Sequence, residues 1–417
     1  MKGRYDVIVV GGGPAGLSSA MAAAMDGASV LIVEREAQLG GILKQCVHDG
    51  FGLTRYGEVL TGPEYAERDV RAVRDLGVEE KLGTFVLEAE RSDDGVRLTL
   101  SNREGIHHVS ASSLVLATGC RERTARQVQI HGDRPSGVMT AGCAQNLVNL
   151  QGMCVGKRVV ILGSGDIGLI MARRLTLEGS EVIGVYEARQ KPSGLVRNVV
   201  QCLDDFGIPL HLSTTVTRTF GRGRLEAVEV CQVDERMRPV SGTEEIVACD
   251  TLVLSVGLIP ENELAEQLGI EMCPMTKGPL VDQHYQTLAQ GIFSAGNSLS
   301  VNDLVDYVSE GGERAGHAAA THALAANRRA KNLVRVEVGE RLSSCVPQLI
   351  DLNGDLSKVV FFLRSDGDYQ GGRVILRSGS REFASKRLRP VHQAETIRLE
   401  ADLTELDGAM VAMLIGE

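Results

Sequence analysis

The stretch Asp6–Gly16, DVIVVGGGPAG, constrains this chain more than any other. Val7–Val10 is a short apolar run of β type that stops at three glycines. Gly11, Gly13 and Gly16 fall on G-x-G-x-x-G, with Pro14 and Ala15 between them, and Leu17–Met25 continues as an Ala-rich helical segment. Strand, glycine turn and helix in that order form the context a dinucleotide-binding turn needs. Gly11 permits the tight turn, Gly13 lets a pyrophosphate approach the backbone, and Gly16 lets helix and strand pack closely. The free N–H groups and positive end of the helix then favour phosphate. A second strand, Ser29–Val33, ends at Glu34, eighteen positions after Gly16, where a carboxylate accepts a ribose hydroxyl.

The pattern recurs 152 positions later. Arg158–Leu162 reads as a strand, Gly163-Ser164-Gly165-Asp166-Ile167-Gly168 as a second G-x-G-x-x-G, and Leu169–Glu178 as a helix. Glu181–Tyr186 is a strand closing on Glu187, nineteen residues after Gly168. Duplication of a whole unit excludes a chance glycine cluster and predicts two nucleotide sites.

With 417 residues the chain has room for two or three domains. A net charge of −10 argues against nucleic acid or an anionic membrane as partner. No apolar run approaches the roughly 20 residues of a transmembrane helix. Lys2 and Arg4 ahead of an apolar run imitate a secretory signal, but Asp6 and the glycines break it, so the start reads as mature sequence. The nine cysteines are scattered without a C-x-x-C. That suggests reduced thiols in a cytoplasmic protein, and it removes the clusters an iron–sulfur centre or structural zinc would need, so no metal is expected.

Between and beyond the two units, Gly40–Gly41 opens a polar loop, ILKQCVH, that should lie near the first ligand. Thr61–Leu76 reads as a helix, and Thr84–Ala89, Val96–Ser101 and His108–Ser110 as a small antiparallel set. Ser113–Ala117 is a buried strand ending in Thr118-Gly119, and Asp250–Ser255 another, ending in Val256-Gly257-Leu258-Ile259-Pro260. Gly291–Ala295 leads to Gly296-Asn297, and Glu310–Asn327 reads as a long helix. From Leu333 short alternating runs (Val334–Val338, Lys358–Arg364, Arg373–Arg377, Thr396–Glu400) predict a small β-rich domain.

Two nucleotide units, a T-G turn after the first and a G-x-x-P after the second make residues 1 to about 330 resemble the flavoproteins with two dinucleotide-binding domains. That group includes the pyridine nucleotide–disulfide reductases, thioredoxin reductases and NADH oxidases. The resemblance implies an α/β fold of two Rossmann-like domains, with FAD on the first, NAD(P)H on the second, and the second inserted into the first. The expected division is 1–125 and 256–332 for the FAD domain, 126–255 for the NAD(P) domain and 333–417 for the β-rich domain.

The same template places Gly11, Gly13, Pro14, Ala15 and Gly16 at the FAD pyrophosphate with Gly41 nearby, and Glu34, beside Arg35, at the adenosine ribose. It places Val86 by the adenine, Thr118-Gly119 on the pyrophosphate side, Gly296-Asn297 at the ribityl chain and Gly311 at the flavin N1/O2 edge. Asn297 stands where the family has aspartate, and an amide still hydrogen-bonds a hydroxyl. The second nucleotide takes Gly163, Gly165, Asp166, Ile167, Gly168, Glu187 and Gly257.

Five stretches are similar to a subgroup: GGILKQCVHDGFGL (40–53), LTGPEYA (60–66), ATGCRER (117–123), 138–145 and NDLVDYVSE (302–310). They look like the FAD/NAD oxidoreductase that accompanies bacterial FAD-dependent glycerol-3-phosphate dehydrogenases, related to the flavin subunits of opine, proline and hydrogen-cyanide-forming dehydrogenases. The resemblance implies a partner FAD-dependent dehydrogenase, a small cysteine-rich electron-transfer protein as a further partner, and an oligomer.

Nicotinamide-to-flavin hydride transfer needs no protein acid or base, which suits a sequence without a triad or paired carboxylates. Lys44 is the candidate near the flavin N5, against the reading of a solvated lysine. A dithiol relay is excluded, because Cys46 has no second cysteine in its loop and Cys143 stands alone before the second glycine motif. Cys46, with Lys44 and His48 near enough to depress its pKa, leaves open a single-cysteine NADH oxidase or peroxidase. A non-catalytic interaction protein stabilised by FAD is the third reading. Glu187 favours NAD(H) over NADP(H), with Arg189 softening the preference.

Overall fold

The computed structural model describes residues 3–325 and 331–416; Lys2 and the expected helix end at Asn327 lie outside them. The chain divides into two compact units, Met1–Cys120 with Pro260–Glu417, and Arg121–Ile259.

The first unit is built on a seven-stranded sheet in the order Glu79–Lys81, Val30–Val33, Arg4–Val10, Gly105–Leu116, Gly95–Asn102, Phe85–Ser92, with Ile292–Ser294 also pairing Gly105–Leu116. Arg4–Val10 runs parallel to both its neighbours. A strand with parallel neighbours on both sides is apolar where both its faces are covered, here from Val7, and Val7, Ile8 and Val9 are fully buried. Gly105–Leu116 is one continuous strand, although the sequence pattern predicts a break after Ser110. Its polar first half pairs antiparallel with Gly95–Asn102. Its apolar second half pairs parallel with Arg4–Val10 and Ile292–Ser294.

Helix Pro14–Met25 packs against Val305–Leu324. A Cβ on Gly312 would strike the Ala15 carbonyl, and one on Gly316 that of Ser19, so only glycine permits this approach. The Ser19 hydroxyl seals the crossing with the carbonyls of Ala15 (2.7 Å) and Gly312 (2.8 Å).

Residues 333–416 belong to this unit. They form a five-stranded sheet (Leu349–Asp351, Leu333–Val338, Met410–Gly416, Gly372–Ser378, Arg381–Leu388) and a three-stranded one (Leu342–Val346, Val359–Ser365, Thr396–Ala401). Val359–Ser365 is apolar on both faces for a reason. Val360 and Phe362 enter the core that holds the two long helices, while Val359, Phe361 and Leu363 enter the β core.

The second unit holds a parallel five-stranded sheet, Leu210–His211, Glu181–Tyr186, Arg158–Leu162, Thr251–Leu254, Val138–Thr140. Beside it lies a four-stranded sheet, Glu245–Ala248, Ala227–Gln232, Thr214–Phe220, His131–Gly132. Among the described residues no helix is long and apolar enough to cross a membrane.

Candidate functional site

The two glycine turns repeat not only in sequence but bond by bond. In the first, the Gly11 N–H donates to the Val33 carbonyl (2.9 Å); in the second, Gly163 donates to Tyr186 (2.7 Å). Gly11 has φ +107° and Gly163 φ +100°, and a Cβ on either would collide with a carbonyl of the adjoining strand end, Ala117 or Ser255. Helices begin at once, at Pro14 and Asp166, with Gly13 and Gly165 as caps that offer no side chain to the first-turn amides. Pro14 sits where its missing N–H costs nothing.

Each second strand delivers a buried carboxylate to its turn. Glu34 accepts from the N–H of Gly12 (2.6 Å) and of Glu36 (2.8 Å). Glu187 accepts from the equivalent Ser164 (3.0 Å) and Arg189 (3.0 Å). A carboxylate has about four acceptor positions, so Glu34 retains lone pairs for sugar hydroxyls.

Glu187 has two further partners that sequence reasoning missed. The Ser164 hydroxyl (2.6 Å) and Ser193 hydroxyl (2.7 Å) both donate to it. Ser164 carried a signal, a hydroxyl residue inside the second turn where the first has glycine; Ser193 carried none. Burial pushes the Glu187 carboxyl up, but the Ser164 hydroxyl and the Arg189, Ser164 and Ser193 donors together hold it below the usual carboxylate range. Asp166 Oδ1 accepts from the Leu195 N–H (2.9 Å) and Asn198 Nδ2 (2.6 Å), which folds residues 193–198 back onto the turn. Ile167, beside it, packs partly buried in that core.

The first turn is also bare of side chains. A Cβ on Gly13 would meet nothing nearer than the Gly41 Cα at 3.9 Å, and one on Gly41 would meet the Gly13 Cα at 2.8 Å. The two backbones pack directly on each other, and with no side chain on Gly13 the first-turn amides of Pro14–Met25 stay open to a pyrophosphate. A Cβ on Gly296 would meet that of Ala15 at 2.7 Å, which brings the G-N turn against the start of the same helix. Thr84 N–H donates to the Glu34 carbonyl (3.0 Å), so the hairpin carrying Val86 starts beside the ribose carboxylate. Arg35 is exposed. Thr118 Oγ1 donates to the Glu261 carbonyl (2.6 Å), and Gly119 takes φ +73° to turn the chain away. Gly257 has φ +103° and accepts from Arg123 N–H (3.0 Å) within the second unit.

Asn297 is fixed at both ends of its amide. Oδ1 accepts from the Asn302 N–H (3.0 Å), and Nδ2 donates to Cys120 Sγ (3.6 Å).

Three expectations change. The long helix starts at Val305, not near Glu310. The amides left without intrahelical partners are therefore those of its first turn, and Gly311 lies in the helix interior against the Tyr285 ring. The glycine pair 311–312 reads as a helix start in sequence, yet Gly312 is there to admit the helix Pro14–Met25 and Gly311 the Tyr285 ring.

Lys44 lies in a 3-10 turn, Gly41–Gln45, and its Nζ donates to the Gln38 carbonyl (2.8 Å). Cys46 does not gain from it: burial pushes the thiol up to about 12. The Cys46 Sγ donates to the Ile42 carbonyl (3.4 Å), and His48 Nδ1 lies 3.0 Å from the Asp49 carbonyl. The nine cysteines stand as separate thiols, not as disulfides.

The loop after Cys46 is anchored to the long helix. Asp306 accepts from the Thr54 N–H (2.7 Å), and Tyr65 Oη and Ser309 Oγ lie 2.8 Å apart. The helix is held in turn by the C-terminal strands. Arg398 donates twice to Glu310 (2.8 and 2.9 Å), and Arg364 donates to Asp303 (3.3 Å).

Comparison with known proteins agrees with this architecture. The family model for pyridine nucleotide-disulphide oxidoreductases matches residues 5–325. Hydrogen cyanide synthase subunit HcnB of Pseudomonas aeruginosa is 31% identical over 285 residues, 63% of this chain and 59% of that protein. The chain thus matches less than two thirds of that relative's length. An opine oxidase subunit of Rhizobium meliloti is 26% identical over 328 residues, 74% of this chain and 69% of that one. The crystal structure of T. acidophilum thioredoxin reductase shares the fold with TM-score 0.64 and 22% identity, covering 78% of this chain and 100% of that one.

Proposed function

The chain belongs to the pyridine nucleotide-disulphide oxidoreductase family, FAD-dependent enzymes that use NAD(P)H, and from that premise we propose that it passes electrons between NAD(H) and a partner dehydrogenase of the glycerol-3-phosphate type. The observation that carries the reading is the bond-for-bond recurrence of the glycine turn with its buried carboxylate, Gly12 to Glu34 and Ser164 to Glu187. Two intact dinucleotide sites suit an electron-transfer component of an assembly and argue against a scaffold.

FAD, when bound, supplies hydride acceptance and one-electron release. The glycine turn and the first-turn amides of Pro14–Met25 would take its pyrophosphate, Glu34 its ribose, and the turn Gly296-Asn297 its ribityl chain. The first-turn amides of Val305–Leu324 favour negative charge on the ring edge. At the second turn, the first-turn amides of Asp166–Leu177 take the NAD pyrophosphate, and Glu187 accepts the 2′-hydroxyl at Oε1, which takes the Arg189 N–H while the other three donors share Oε2. That bond is worth about 1.5–3 kcal/mol. A 2′-phosphate meets like charge instead, about 4 kcal/mol per unit charge at ~4 Å and an effective dielectric of ~20. Burial pushes the Cys46 thiol up to about 12, which disfavours its thiolate as a nucleophile.

The partner is inferred from relatives whose names mark them as subunits, and its glycerol-3-phosphate type from the stretches 40–53, 117–123 and 302–310. The test is anaerobic titration of the yellow protein. NADH should bleach the flavin at least about tenfold faster than NADPH, the discrimination about 1.4 kcal/mol gives. Glycerol 3-phosphate should bleach it only with the co-purified partner present. Equal rates with both nucleotides would refute the NAD assignment, and bleaching of the isolated chain by glycerol 3-phosphate would refute the division of labour.

A further inference from the structure

The two glycine turns differ in the residue that stands beside each of them. Each turn rests on the end of a neighbouring strand: a Cβ on Gly11 would strike the Ala117 carbonyl, and one on Gly163 that of Ser255. Two residues beyond Ala117 and Ser255 lie glycines of positive φ, Gly119 (+73°) and Gly257 (+103°). Each accepts a backbone hydrogen bond at its carbonyl, from Glu261 N–H at Gly119 (2.9 Å) and from Arg123 N–H at Gly257 (3.0 Å). The duplication therefore sets a glutamate beside the first of these strand ends and an arginine beside the second.

The arginine lies along its turn. A Cβ on Gly257 would meet Arg123 Cδ and Nε, both at 3.8 Å, so the side chain follows the glycine instead of leaving it. Arg123 is exposed, and among the described residues its guanidinium has no hydrogen bond or ion pair. Gly257 follows the carboxyl end of Thr251–Leu254, which runs parallel to Arg158–Leu162. Open α/β sheets bind their ligands at such strand ends.

The second turn also has the greater need of a cation. Helix Pro14–Met25 has no acid in its first turn, whereas Asp166–Leu177 opens with Asp166. A carboxylate there takes up part of the positive helix end that would otherwise face phosphate. Glu34 and Glu187 are counterparts, so Asp166 is a charge that the first turn lacks.

We infer that Arg123 receives the pyrophosphate of the nicotinamide dinucleotide, completing a site whose other donors are the first-turn amides of Asp166–Leu177. Its planar fork suits two phosphate oxygens at once, and its charge does not titrate. The inference rests on the reading of the second turn as the NAD(H) site, and it adds the residue that holds the nucleotide's charge there.

The full-length flavoprotein is titrated with ADP-ribose by calorimetry at about 0.1 M and about 0.5 M salt. Reduction of its flavin by NADH is followed on the same samples by anaerobic stopped-flow. Arg123→Gln should weaken ADP-ribose at least about tenfold at the lower salt and flatten the salt dependence. The NADH concentration for half-maximal reduction should rise equally, with the limiting rate within about twofold. Arg123→Lys, which keeps the charge without the fork, should recover part of the loss. The control Arg126→Gln, at another exposed arginine of the same segment, should stay within about twofold. Unchanged ADP-ribose binding in Arg123→Gln, an equal loss in Arg126→Gln, or a fall in the limiting rate alone would overturn the proposal. So would wild-type protein that does not bind ADP-ribose. Wild-type protein that binds ADP-ribose through Arg123 but is not reduced by NADH would refute the electron-transfer reading and leave this one standing.

Discussion

Ser193 is a small residue with a large assigned task. Its hydroxyl, with that of Ser164, keeps Glu187 charged and aimed. Removing it in Ser193→Ala should lower NADH-over-NADPH selectivity about threefold to tenfold, near 1 kcal/mol, because three other donors still hold the carboxylate. Glu187→Ala should remove most of the selectivity. Because the Glu187 carboxyl lies below its ordinary range, its charge should stay constant from pH 6 to 8, so reduction by NADH should show no slope there that Glu187→Ala abolishes, as stopped-flow would show; such a slope would contradict the assignment. The sign for stability follows. A carboxyl depressed on folding contributes fully above its unfolded value of about 4.3, and the contribution is lost as pH falls through the folded value. Cys46→Ser should leave NADH-to-dye transfer within a few-fold of wild type and create no loss of peroxide turnover, since a thiol with pKa about 12 is not poised for it. Glu34 and Glu187 were legible in the sequence because their spacing from the glycines is fixed by one helix and one strand. Ser193 was not, because a loop that folds back obeys no period.

Among the elements, the contact between Pro14–Met25 and Val305–Leu324 is the least tolerant. Gly316→Val places a branched side chain against the Ser19 backbone. It should cost about 1–3 kcal/mol or more and release FAD, because the same helix carries the first turn's amides. Gly408→Ala, where nothing lies within 4 Å, should stay within about 0.5 kcal/mol. Urea unfolding followed by flavin fluorescence separates the two. The glycines of this helix also show why its start is hard to read. Gly311 and Gly312 look like a terminus by propensity, but tertiary packing overrides propensity, and the true first turn carries Val305 and Val308, poor helix formers. The strands Thr214–Phe220, Ala227–Gln232 and Glu245–Ala248 leave little mark on the sequence. They are short, half exposed and interrupted by charges, so alternation in them is faint. The apolar parallel strands, whose runs end at glycines, were legible throughout.

At the scale of the molecule, the chain leaves the first unit at Cys120 and re-enters it at Pro260. On each side the two ends are already paired: Glu261 N–H donates to the Gly119 carbonyl (2.9 Å), and Arg123 N–H to the Gly257 carbonyl (3.0 Å). Closing the first unit with a short glycine linker in place of 121–259 therefore costs little loop entropy. The shortened protein should fold, bind FAD and accept electrons from photoreduction, but not from NADH. Residues 121–259 alone should fold and bind NADH. Loss of FAD from the shortened chain would contradict the proposed division of the two nucleotides.

The separation of Gly16 from Gly316 along the chain has a consequence for synthesis. At about 5–20 residues per second, the helix that covers Pro14–Met25 leaves the ribosome roughly 15–60 s after the helix it covers. The inserted unit is complete well before that. The nascent flavin turn therefore waits, its small-residue face open, until the last third of the chain arrives. Cofactor loading is in this sense a late, post-translational event, and truncated nascent chains should be held by chaperones and bind no flavin.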